Sequence, residues 1–79
     1  MYQEKKFEIK LKLMEIEELL NSPTIMLQEY DDIKNIINNA KAILNGKYDL
    51  MDYIVQENQI DQCINSLNNM ISKIKKRKK

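Results

Sequence analysis

The chain has 79 residues, 43% hydrophobic and 32% charged, with a formal net charge of +1; this is a globular or coiled-coil composition and excludes the low-hydrophobicity signature of disorder. With no His, one Cys, one Gly and one Pro, it lacks the commonest general base and metal ligand, any internal disulfide and any glycine-rich phosphate loop. No apolar run approaches the roughly 18 residues of a membrane span and no secretory signal is present, so a soluble, cytoplasmic protein of one domain is expected.

Because breakers are so scarce, the elements must be few and long. The first segment contains "FEIKLKLM" (residues 7–14), which alternates apolar and charged side chains and fits either a strand over about residues 5–13 or a helix. At about 100° per residue, Ile9, Leu13, Ile16 and Leu20 form a helical seam that Tyr2 extends, a pattern that continues past the point where the strand reading stops. Glu, Lys, Leu and Met dominate residues 3–20, so propensity also favours a helix there. That helix would leave Phe7, Leu11 and Met14 on the face opposite its seam, either sandwiched inside a bundle or open to a partner.

Ser22-Pro23 suits a helix start, with Ser22 as N-cap and Pro23 at the first helical position, and Asn45-Gly46 suits a helix stop. The second helix is therefore expected over about 23–45, its seam Met26, Tyr30, Ile33, Ile37, Ala40 and Leu44 flanked by Ile36 and Ile43. A third is expected over about 49–74, capped by Asp49 with Asp52 in its first turn. Its seam comprises Ile60, Ile64, Leu67, Ile71 and Ile74 with Cys63 and Met70, and Leu50 and Tyr53 extend the line backward across Glu57, which reads as a polar layer, a bend near "QENQ" or the edge of the packed zone. Cys63 reads as a small buried hydrophobe, with an intermolecular disulfide as the alternative.

Seven basic and twelve acidic residues precede position 73, whereas Lys73, Lys75, Lys76, Arg77, Lys78 and Lys79 form a tail of charge +6. Repulsion should fray this tail after Ile74. It can serve a phosphate backbone, an anionic membrane or nuclear import, or simply offset the helix dipole and aid solubility. With twelve Lys to one Arg and abundant Ile and Asn, AT-rich coding bias weakens the Lys run as functional evidence.

Catalytic chemistry has little to stand on. The adjacent pairs Glu17/Glu18 and Asp31/Asp32 point about 100° apart on a helix and cannot share a proton or metal. Capping accounts for Asp49 and Asp52, and Tyr30 and Tyr53 read as rim packing residues.

The expectation is an all-α, antiparallel three-helix bundle over residues 1–72, with a long hairpin between the second and third helices and a basic tail over 73–79. Its first helix is too short to cover both others, leaving a seam through which it dimerises. The expected function is a non-enzymatic protein–protein interaction module, such as an adaptor, inhibitor, immunity or antitoxin-like factor or secretion chaperone. It would act through Phe7, Leu11, Met14, Ile60, Ile64, Leu67 and Ile71, with no cofactor, metal or small-molecule substrate. The alternative is a nucleic-acid-binding protein, acting through the tail or through a ribbon-helix-helix-like strand over residues 5–13.

Overall fold

The computed structural model describes residues 2–21, 23 and 25–77, and within them every side chain except those of Tyr2, Gln3 and Arg77. Among these residues the regular structure is three helices: α1 (Tyr2–Leu19), α2 (Leu27–Leu44) and α3 (Tyr53–Arg77). Residues 5–13 are helical throughout, which removes the strand and with it the ribbon-helix-helix reading. The outcome follows from α1's content of strong helix formers: period-two patterning is compatible with a strand, but the seam continues to Ile16 on a helical repeat.

Each helix contributes its four-three seam to one core. Ile9, Leu13 and Ile16 of α1 meet Ile33, Ile37, Ala40 and Ile43 of α2 and the Ile60 to Ile74 line of α3, all of them buried. Each fully buried Ile or Leu contributes about 1.5–3 kcal/mol relative to exposure. The product is an elongated body of 42 × 20 × 16 Å.

Two helix starts differ from expectation. Residues 23, 25 and 26 are not helical, and Ser22 lies outside the described residues. Instead α2 begins after Met26, where the Glu29 carboxylate accepts the Met26 N–H at 3.1 Å. A side chain reaching back from the third helical position thus displaces the Ser-Pro signal, satisfying a backbone donor that the helix leaves unpaired. α3 begins at Tyr53 rather than 49, and Asp52 stands just before the helix, its carbonyl accepting the Gln56 N–H.

The α2 stop is as expected: Gly46 adopts φ +96°, its N–H bonds to Ile43 O and the Lys47 N–H bonds to Ala42 O. These two bonds are the Schellman pair, which needs a left-handed residue at that position. Turns then run on, with Asp49 N–H to Gly46 O and Met51 N–H to Tyr48 O, so Asp49 is a turn residue and not a cap. The Gln56 side-chain amide donates to the carbonyls of Asp49 and Met51, joining the connection to the first turn of α3.

Ion pairs connect the elements at their edges. Lys5 reaches Asp61 at 3.0 Å and Glu57 at 3.2 Å, which raises its ammonium pKa, the Asp61 hydrogen bond contributing most. Lys6 meets Asp49 at 2.9 Å, and Lys41 meets Glu17 at 3.4 Å. The tail also departs from expectation, since α3 remains helical through Arg77 instead of fraying after Ile74. Lys73 pairs with Glu29 and Lys75 with Glu15, so opposite charges on α2 and α1 relieve the crowding of like charges.

Candidate interaction surfaces

Four of the seven residues expected at a partner interface are unavailable. Ile60, Ile64, Leu67 and Ile71 lie in the core, none more than 9% exposed. Expected helices of 23 and 26 residues make the first helix look too short. In fact α1 and α2 have 18 residues each, about 27 Å apiece, and together they cover the buried line of α3. The Ile60 to Ile74 part of the seam expected to stay uncovered is thereby closed.

The other three stand out from the bundle. Phe7, Leu11 and Met14 are 60%, 51% and 57% exposed, which rules out their being sandwiched between helices. Their spacing of four and three places them in one stripe on the side of α1 opposite Ile9, Leu13 and Ile16. α1 therefore has two apolar faces, one spent on the core and one open.

A second exposed group surrounds the start of α3. Leu50 is fully exposed, and Met51, Tyr53, Ile54 and Val55 are all exposed beside it. Leu50 and Tyr53, expected on the α3 seam, lie before its buried part, on the far side of Glu57. The signal in the sequence is Glu57 itself, whose charge interrupts the seam and marks where burial ends. Met26 and Tyr30, expected on the α2 seam, are likewise exposed, while Glu29 between them is only 6% exposed.

The basic residues divide between faces. Lys73 points to Glu29 and Lys75 to Glu15, and the Lys75 hydrogen bond holds the Glu15 carboxyl below its ordinary range. The Arg77 side chain, Lys78 and Lys79 lie outside the described residues.

Cys63 is a free, buried thiol whose pKa is raised by burial. Among the described residues no group of three or more His, Cys, Asp or Glu side chains is placed to hold a metal ion, and no helix is long and apolar enough to cross a membrane. No protein-family model, curated protein or solved structure matches this chain.

Proposed function

We propose that this chain is a non-enzymatic protein-interaction module and that α1 is the helix it offers to a partner. The observation that carries the reading is the open stripe of Phe7, Leu11 and Met14 on a helix whose opposite face is already buried. Anchors spaced i, i+4 and i+7 are those by which an amphipathic helix seats itself in an apolar groove of another protein. Three half-exposed side chains fall well short of the roughly 800 Å² per partner that a stable interface buries. The stripe alone therefore suits insertion into a concave partner better than a standing homodimer of two convex helices.

The arrangement we propose for the bundle is antiparallel, running up, down, up. Lys5 near the start of α1 meets Glu57 and Asp61 near the start of α3, while Lys73 near the end of α3 meets Glu29 near the start of α2; both pairings support it. Lys41 with Glu17 requires α2 to be staggered along the bundle, because strict end-to-end alignment would separate those two residues by more than their side chains can span.

The test is affinity capture from nuclease-treated lysate of the source organism, with the wild-type chain, Leu11→Asp and a chain ending at residue 72 as parallel baits. One stoichiometric protein held by the wild type and by the shortened chain, and lost with Leu11→Asp, is the expected result. Equal retention by Leu11→Asp would remove the stripe from the mechanism. Loss of every partner on nuclease treatment or on shortening would favour nucleic-acid binding through the basic end.

A further inference from the structure

The basic end of α3 borders a shallow, open groove. Lys75 and Lys76 line this open groove between α1 and α3, together with Lys12 and Glu15 of α1 and Asn68 and Ser72 of α3.

The lining has a one-sided chemistry. Three ammonium groups face one carboxylate, and Lys75 already engages that carboxylate. Lys12 and Lys76 make no ion pair among the described residues; the Lys12 charge also acts on Glu15, so the lining as a whole keeps a net positive charge, three ammonium groups to one carboxylate. The Ser72 hydroxyl and the Asn68 amide add neutral donors. Lysines in the last turn of a helix also stabilise its terminal carbonyls, and that would account for Lys75 and Lys76 alone. It does not account for Lys12, which lies in the interior of α1 and faces the same groove.

We propose that this groove binds linked phosphate groups, supplied by a free oligophosphate or by the backbone of a single nucleic-acid strand. Lys12 and Lys76 are the first contacts, and Lys75 joins them by exchanging Glu15 for phosphate. The described lining groups are ammonium, hydroxyl and amide, which suit the charge and oxygen acceptors of phosphate.

The experiment titrates the full chain with a fluorescent oligothymidylate, then adds tripolyphosphate as competitor, at 50 and 200 mM salt. Saturable binding is expected, and for three phosphate contacts the affinity should fall about 20-fold over that salt range. Lys12→Gln and Lys76→Gln should each weaken binding several-fold and Glu15→Gln should strengthen it. Lys47→Gln, the same charge change in the α2–α3 connection, should leave it unaltered, with circular dichroism confirming that each variant keeps its helices. Displacement by tripolyphosphate places both ligands in one site. Tighter binding of tripolyphosphate than of the oligonucleotide, read by calorimetry on each alone, identifies the free anion as the source, and the reverse order identifies the strand. Equal weakening by Lys47→Gln would reduce the effect to net charge and overturn the site. So would failure of both probes to saturate.

Discussion

Cys63 and Gly46 each sit where the fold constrains one atom. Burial raises the Cys63 thiol pKa, so the unfolded chain loses this proton at lower pH than the folded one. The associated stability is complete below the ordinary thiol range and declines as pH rises through that range toward the raised folded value. Urea midpoints measured from pH 7 to pH 10 should therefore fall less steeply for Cys63→Ala than for wild type, even though the variant starts about 1 kcal/mol lower from lost packing. Equal slopes would show that the thiol does not ionise differently in the two states. At Gly46, φ is +96° and an added Cβ would stand 2.8 Å from Asp49 Oδ2. That oxygen ends a flexible side chain and can turn away, at the expense of the Lys6–Asp49 contact. The backbone cannot adapt as easily, so Gly46→Ala should destabilise by about 1–2 kcal/mol and Gly46→Asn by less, because Asn tolerates left-handed geometry. Equilibrium urea unfolding of the three proteins measures that ranking.

At the scale of elements, the start of α2 depends on Glu29. Its carboxylate accepts the Met26 N–H, meets Lys73 at 3.5 Å and is mostly buried. Glu29→Ala removes the acceptor and should destabilise by about 0.5–2 kcal/mol, the usual range for losing a helix N-terminal cap. Glu29→Gln keeps an acceptor oxygen but loses the charge that favours a helix N-terminus, so its loss should be smaller, as thermal unfolding of both variants would show. This contact also explains what can be read from the sequence and what cannot. The interiors of all three helices are legible because Ile9 to Ile16, Ile33 to Ile43 and Ile60 to Ile74 repeat with helical spacing, and Gly46 is legible because few residues suit a left-handed stop. The start of α2 is hidden because Ser22-Pro23 is a local preference, and the reach of Glu29 back to Met26 carries no comparable signature. Leu50 and Tyr53 mislead for a related reason: periodicity tells which way a side chain points and is silent on where the neighbouring helices end. The Phe7 stripe is legible as a face of α1, and its exposure becomes clear only once α2 and α3 have found their places on the other side.

For the whole molecule, the division of apolar side chains between interior and surface makes stability and partner binding separable. A chain of this length has a small core and a correspondingly small margin, so the loss of one buried side chain is a large fraction of the total. Leu67 is fully buried among residues of all three helices, and Leu67→Ala should destabilise by about 2–5 kcal/mol through lost burial and the cavity left behind. Leu11 lies outside that core and is half exposed, so Leu11→Ala should change stability by no more than about 0.5 kcal/mol. The same division predicts the response to protein concentration. If the stripe serves a different protein, the melting temperature of the wild type should be the same at low and high concentration, because the core of one chain is complete and no subunit binding is linked to folding. If the stripe instead joins two copies, the melting temperature rises with concentration and Leu11→Asp abolishes the rise. Scanning wild type and Leu11→Asp over a hundredfold range of concentration thus separates a helix reserved for a partner from one that meets its own copy, and it does so before any partner has been identified.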